Sequence, residues 1–264
     1  MKIFSLLTAV SLIALPGVAK ADTVAVLMGG DTLALVDTAA SAVTRTMTIP
    51  NAAGPLVGID VRPADGQLYA LSANGTVHVI DLASGTSTVK SKLDTALPSA
   101  AGLAVDFNPV ADRLRVIGSD GTNLRINVDD GKAVTDGRLR FADGDAHSGK
   151  TPQVVAGAYT NSHRQSKETV LYDIDAANGA LLKQSPPNDG VLNTVGGTGL
   201  KAVGGFDIQS DGAGGNVGWL MSGTSLYRID LLTGKTTEAS TIKGLTGEIR
   251  DLAVLMPAQM PGQM

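Results

Sequence analysis

Short apolar runs, rich in β-branched residues and threonine, alternate along the chain with turn signals built from Gly, Asp, Asn and Ser. No stretch keeps a 3.6-residue apolar period for three helical turns. The pattern therefore predicts short β-strands throughout, an all-β fold.

The pattern repeats. Five segments place an Asp or Asn after an apolar run and then turn. They are LALVDTAAS ending at Ser41, VHVIDLASG at Gly85, LRINVDDG at Gly131, LYDIDAANG at Gly179 and LYRIDLLTG at Gly234. The polar residue sits at positions 37, 81, 127, 175 and 230, at intervals of 44, 46, 48 and 55 residues. Each segment has the chemistry of a hairpin turn. The Asp or Asn side chain accepts backbone N–H groups, and Gly supplies the left-handed residue that closes the turn. A second column precedes the first: GIDVRP (58–63), AVDFNP (104–109) and GFDIQS (205–210) each carry an Asp near the end of an apolar strand. Residues 58–93 align with 104–139 at a constant offset of 46, without gaps.

Each unit has room for four strands, the size of one propeller blade. The N-terminal TVAVLMGGDTLALVDTAASAVTRTMTI supplies three strands and lacks an opening one, while the C-terminal EIRDLAVLM is an opening strand with nothing after it. Pairing the two ends completes a blade and removes exposed edges. The sequence thus predicts a β-propeller of five four-stranded blades closed by its N- and C-terminal strands. An open stack of sheets is the alternative. The unit 139–200, where AYTNS reads as an opening or a second strand, leaves the blade count open by one.

Composition adds a compartment. Met1-Lys2, the apolar run Ile3 to Leu15, Pro16-Gly17 and Ala19-Lys20-Ala21 form a signal-peptide pattern, with cleavage expected after Ala21. The apolar run is too short to span the roughly 30 Å of a bilayer core. Residues 22–257 are expected to form one propeller domain in the periplasm or outside the cell, most simply as a monomer, and 258–264 a disordered tail. With no Cys, disulfides are excluded and the fold must hold by burial. Removing Lys2 and Lys20 leaves 19 basic against 25 acidic residues, a net charge of −6. That balance argues against nucleic acid and anionic membranes as partners. Aromatic residues, at 3%, are too few for stacking platforms.

Subtracting one repeat from another isolates the third unit. The column holding Leu33, Val77, Leu171 and Leu226 has Asn123 there; Tyr69 becomes Arg115, Val79 becomes Arg125 and Lys90 becomes Asp136. Arg62 becomes Asn108 and Gln67 becomes Arg113. Polar groups among strands must be paired. One reading is an internal network in which Arg115 or Arg125 bridges Asp106, Asp112 or Asp136. The other is an anion or polar-ligand site at one mouth of the ring, with Asn161, Asn188 and Asp189 contributed by the next unit.

At these residues the chain resembles a known family. GIDVRPADGQLYAL, VDFNPVADRLRVIGSDGTNLRIN, AYTNS, LYDID and PPNDG, in order from about Val24 to Val254, are similar to the bacterial domain-of-unknown-function family numbered 4394. The resemblance implies an exported, propeller-like protein and carries over no catalytic residue. Asp106, Asn108, Pro109, Asp112, Arg113 and Arg115 match its strongest motifs, as do Asn123, Arg125, Asn127, Asn161, Asn188 and Asp189.

Other chemistry is thinly represented. Asp60, Asp106 and Asp207 share a column and are candidate ligands for a channel cation such as Ca²⁺, unless each caps its own turn. DGAGGN (211–216) and DGDAHSG (143–149) match calcium loops only loosely. His78, His147 and His163 share no column, and no G-x-S-x-G elbow occurs. Ser162 beside His163 does not make a triad, and PPNDG reads as a turn before Asp189 reads as a base. The expected function is a binding module for a small polar or anionic ligand or a protein partner. The alternatives are a metal-dependent hydrolase of lactones or esters using channel carboxylates, and a purely structural surface protein.

Overall fold

The computed structural model describes residues 22–50, 52–98 and 102–255. The expected signal peptide and C-terminal tail lie outside them. The first blade combines β1 (Thr23–Met28), β2 (Thr32–Asp37) and β3 (Ala42–Thr48) with the last strand, β21 (Ile249–Leu255), in the order β21-β1-β2-β3. The second runs β4 (Leu56–Val61), β5 (Leu68–Ser72), β6 (Thr76–Ile80), β7 (Ser87–Lys92). The third runs β8 (Leu103–Asn108), β9 (Arg113–Gly118), β10 (Asn123–Ile126), β11 (Ala133–Thr135). The fourth holds β13 (Val154–Tyr159), β14 (Leu171–Asp175), β15 (Ala180–Gln184) and β16 (Val191–Gly197), with the two-residue β12 (Arg140–Phe141) added parallel to β16. The fifth runs β17 (Gly205–Ser210), β18 (Asn216–Ser222), β19 (Ser225–Ile229), β20 (Thr236–Thr241).

This is a five-bladed propeller. Strands β21, β4, β8, β13 and β17 touch one another in turn around the axis. The ring closes where β1 pairs antiparallel with β21, Val24 opposite Val254 and Val26 opposite Leu252. No helix among the described residues is long and apolar enough to cross a membrane.

Radial position explains the strand sequences. The inner β21 (IRDLAVL) is buried at all but one residue, whereas the outer β7 (STVKSK) has no fully buried residue. Inner strands are covered on both faces by neighbouring blades, and outer strands present a polar edge that discourages further pairing. The apolar clusters join neighbouring blades. Leu27, Leu35, Leu56, Ile59 and Leu68 link the first to the second. Tyr69, Val77, Phe107, Leu114 and Val116 link the second to the third. Burying each such side chain contributes about 1.5–3 kcal/mol, and this is what holds a chain without disulfides.

The repeated turns form as their chemistry demands. The Asp37 carboxylate accepts the amides of Ala39 and Ala40, Asp81 that of Ala83, and Asp230 those of Leu232 and Thr233. Asn127 accepts from Asp129 through its side-chain oxygen, and Asp175 from Ala177. Gly85, Gly131, Gly179 and Gly234 close their turns at φ between 60° and 77°, and Ser41 takes that role in the first at φ 53°.

The fourth blade corrects one alignment. In the other four blades the repeated turn joins the third strand to the fourth, but the Asp175–Gly179 turn joins β14 to β15, the second and third. Leu171 therefore lies on a second strand, whereas Leu33, Val77, Asn123 and Leu226 lie on third strands. The motif specifies a hairpin, and any hairpin of a blade accepts it. Within AYTNS, Ala158 and Tyr159 end the inner strand, and the rest begins the loop to β14.

Candidate functional site: an axial carboxylate ring beneath a mouth

Four of the five inner strands place an Asp on the axis: Asp60 on β4, Asp106 on β8, Asp207 on β17 and Asp251 on β21, each 4–6% exposed. Asp60, Asp106 and Asp207 each offer an oxygen, and the three lie within 4.8 Å of one another. All four carboxylates bond to the next blade, and Asp60, Asp207 and Asp251 also to their own strands, rather than to turns. Asp60 accepts the amide of Val61 at 2.6 Å and that of Phe107 in the third blade at 2.7 Å. Asp207 accepts Ile208 and, in the first blade, Val254 at 2.6 Å. Asp251 accepts Leu252 and, in the second blade, Ile59, both at 2.9 Å. Asp106 accepts Tyr159 of the fourth blade at 3.0 Å.

Burial pushes the Asp60, Asp106 and Asp251 carboxyls well above the usual carboxylate range and Asp207 to about 6. Repulsion adds to burial, from Asp207 on Asp60 and from Asp60 and Asp207 on Asp106, while the amide donors to Asp60 pull the other way. The sequence column contained three of these residues. Asp251 belongs with them, and its signal was the third position of the closing strand β21, IRDLAVL.

Two to three residues back along the same strands, the ring opens into a cavity of about 460 Å³. Val57, Leu103, Val155, Gly204 and Ile249 bring a wall from each blade, with Leu97 and Pro98 beside them. Glu248 and Arg250 line it too, paired at 3.2 Å, their side chains 71% and 38% exposed. The apolar wall residues did not stand out in the sequence, because apolar side chains at strand starts carry no chemical signature.

The polar residues of the third unit form a network at the joint of the third and fourth blades. Arg115 is 2% exposed and donates from Nε to the Tyr159 hydroxyl at 3.0 Å, from Nη1 to Asn123 and Asp136, and from Nη2 to Asn188 at 2.8 Å. Arg125 grips both Asp136 oxygens at 2.6 and 2.8 Å. The Asn123 amide donates to the Gly137 and Pro187 carbonyls. These residues pin the PPNDG turn, a short 3₁₀ element at Pro187–Asp189, against the third blade. Four of the five N–H donors of Arg115 are thus taken by neighbours, the pattern of an internal network.

The remaining sequence candidates lie elsewhere. Asn108 accepts the amides of Val110 and Ala111, and Arg113 donates to the Asp112 carbonyl, both within the β8–β9 turn. Asn161 exchanges hydrogen bonds with Asn216 of the fifth blade at 2.7 and 2.9 Å. Asp189 is exposed in its turn. A second ionic knot went unforeseen: Arg62, 7% exposed, binds Asp112 at 2.6 and 2.8 Å and Asp129 at 3.0 and 3.2 Å, tying the second blade to two turns of the third. With Lys90, it holds Asp129 down at about 2.

Comparison with known proteins places this architecture. A protein of unknown function from Bacteroides thetaiotaomicron is 17% identical, with a TM-score of 0.54 over 89% of this chain; the chain spans 65% of that protein. Another from Bacteroides caccae is 13% identical, with a TM-score of 0.46 over 87% of this chain and 77% of that one. An auxiliary nutrient binding protein from Bacteroides ovatus is 14% identical, with a TM-score of 0.45 over 82% of this chain and 56% of that one. At such identities only the first likeness bears on the argument, and it speaks for the fold. No curated protein matches the chain. The repeat motifs, the blade order and a family-model match across residues 32–253 agree: the chain belongs to the family described as domain of unknown function DUF4394.

Proposed function

We propose that this propeller is an exported binding module that takes a small amphipathic anion at the mouth of its ring. The observation that carries the reading is the cavity of about 460 Å³, to which all five blades contribute a wall. Its volume falls in the range of small-ligand sites, and its mixture of apolar walls and a few charged groups is the usual composition of such a site. Val57, Leu103, Val155 and Ile249 suit an apolar body. Arg250 suits an anionic end, and the exchange is cheap. An exposed ion pair such as Arg250–Glu248 is worth only about 0–1 kcal/mol, so a ligand carboxylate or sulfonate can take the place of Glu248. Export rests on the basic start, apolar run and Ala19-Lys20-Ala21 of the leader.

The fluorescent sulfonate 8-anilinonaphthalene-1-sulfonate has this chemistry. Saturable binding to the folded protein, weakened about tenfold in Arg250→Glu with an unchanged circular dichroism spectrum, supports the reading. Absence of saturable binding, or equal affinity for the variant, refutes it. Amino-terminal sequencing of protein recovered outside the cytoplasm should begin at Asp22; a mature chain retaining residues 1–21 would contradict export.

A further inference from the structure

We propose that Asp60, Asp106 and Asp207 hold a divalent cation of the calcium class on the propeller axis, as a centre that joins three blades. The first observation is spacing. The three carboxylates each offer an oxygen within 4.8 Å of the others, close enough for one cation with metal–oxygen distances of about 2.4 Å to reach all three. Mg²⁺ usually keeps several waters and takes one or two carboxylates, so three protein carboxylates from three blades favour Ca²⁺.

The second observation is an oxygen without a donor on a nearly buried side chain. On Asp60, Asp207 and Asp251 one oxygen accepts the amide of the following residue and the other accepts from the next blade. Asp106 lacks the first of these bonds, because the Phe107 amide is taken by Asp60 of the preceding blade. Its Oδ1 accepts from Tyr159, and its Oδ2 has no hydrogen-bond donor among the described residues, on a side chain only 4% exposed. None of the four carboxylates forms an ion pair among the described residues. A carboxyl oxygen with neither donor nor counter-charge, on a side chain almost wholly buried, is what a cation would satisfy.

The other loosely calcium-like segments are occupied by their own backbones. Asp211 accepts the amides of Ala213 and Gly215. Asp145 accepts the amide and hydroxyl of Thr194 and the amide of His147.

The test uses the full chain, stripped with EDTA and dialysed, with CaCl₂ or MgCl₂ as the only addition. Calcium should raise the unfolding temperature by several degrees, magnesium by much less, and the protein should retain about one calcium per chain by elemental analysis after gel filtration. Asp106→Asn should weaken calcium binding at least tenfold. No retained metal and no shift at millimolar calcium overturns the proposal and leaves the ring neutralised by protons. A full calcium shift in a folded Asp106→Asn variant also overturns it, by placing the ion elsewhere. Should that variant fail to fold, the metal content of the unsubstituted protein decides. The sulfonate experiment at the mouth reads Arg250 and is independent of this result.

Discussion

Replacing Asp173 with asparagine should stabilise the propeller at alkaline pH and mildly destabilise it near pH 4. Asp173 lies on β14 opposite Gly157, fully buried, and neither carboxyl oxygen has a hydrogen-bond partner among the described residues. It fits only because Gly157 has no side chain; a Cβ there would lie 2.6 Å from Asp173 Oδ1. Burial raises its pKa from 3.8 to about 8, against a smaller opposing pull from Arg115. The sign follows from linkage. The folded pKa lies above the unfolded one, so the native state holds its proton over a range where the unfolded chain has released it. Stability is then full below about pH 4, falls through the interval to pH 8, and stays low above it. A shift of about four units corresponds to roughly 5–6 kcal/mol. The asparagine amide arrives unpartnered, which returns about 1–3 kcal/mol. The net gain at pH 9 is about 3 kcal/mol, or roughly 6–10 °C in Tm for a domain of this size. Urea titrations of both proteins from pH 4 to pH 9 read this directly, and the other titrating groups cancel in the difference. A difference that does not change with pH, or a variant less stable at pH 9, would refute the reasoning.

Other consequences are equally direct. Asn123→Ala removes the bonds to Arg115, Gly137 and Pro187 and should cost about 2–3 kcal/mol in chemical denaturation; unchanged stability would return Asn123 to the list of ligand-binding candidates. Gly131→Ala, at φ 76° with the new Cβ 1.9 Å from the Lys92 carbonyl oxygen, should cost more than about 3 kcal/mol, whereas Gly144→Ala, at φ 81° with nothing within 4 Å, should cost about 1 kcal/mol. Similar thermal shifts for the two glycines would mean that the joint between the second and third blades yields more easily than its packing implies.

The fold was legible because its signal is backbone chemistry. An Asp that accepts amides and a Gly that turns left-handed leave a mark at every repeat, and the termini betray closure by what each lacks. The fourth blade was misaligned because that mark identifies a hairpin and not its place in the blade. Arg115, Asn123, Arg125 and Asp136 emerged by subtraction between repeats, with the Arg–Asp136 bridge and Asn188 among the readings, but Tyr159 did not. Tyr159 and Asn188 lie 44 and 73 residues from Arg115 in the chain. Asp173 gave no warning, since its burial depends on a glycine in the neighbouring strand. The mouth was invisible because its walls are ordinary apolar residues.

The charge in DFNPVADRLRV acquires a physical reason when the five joints are compared. At four of them an axial carboxylate reaches across to a backbone amide: Asp207 to Val254, Asp251 to Ile59, Asp60 to Phe107, and Asp106 to Tyr159. The third-to-fourth joint differs in what surrounds that bond. The fourth blade has a shifted turn motif, an added parallel strand, and Gly157 and Ala158 on its inner strand in place of an axial Asp. The fourth blade offers the third one a polar turn, Pro187–Asp189. Arg115 spans that boundary by holding Tyr159 and Asn188 on one side and Asn123 and Asp136 on the other. The planar guanidinium, with five donors, satisfies four groups at once, which no apolar side chain at position 115 could do. The third unit is therefore charged because its neighbour is irregular, and the two departures from the repeat are one structural solution.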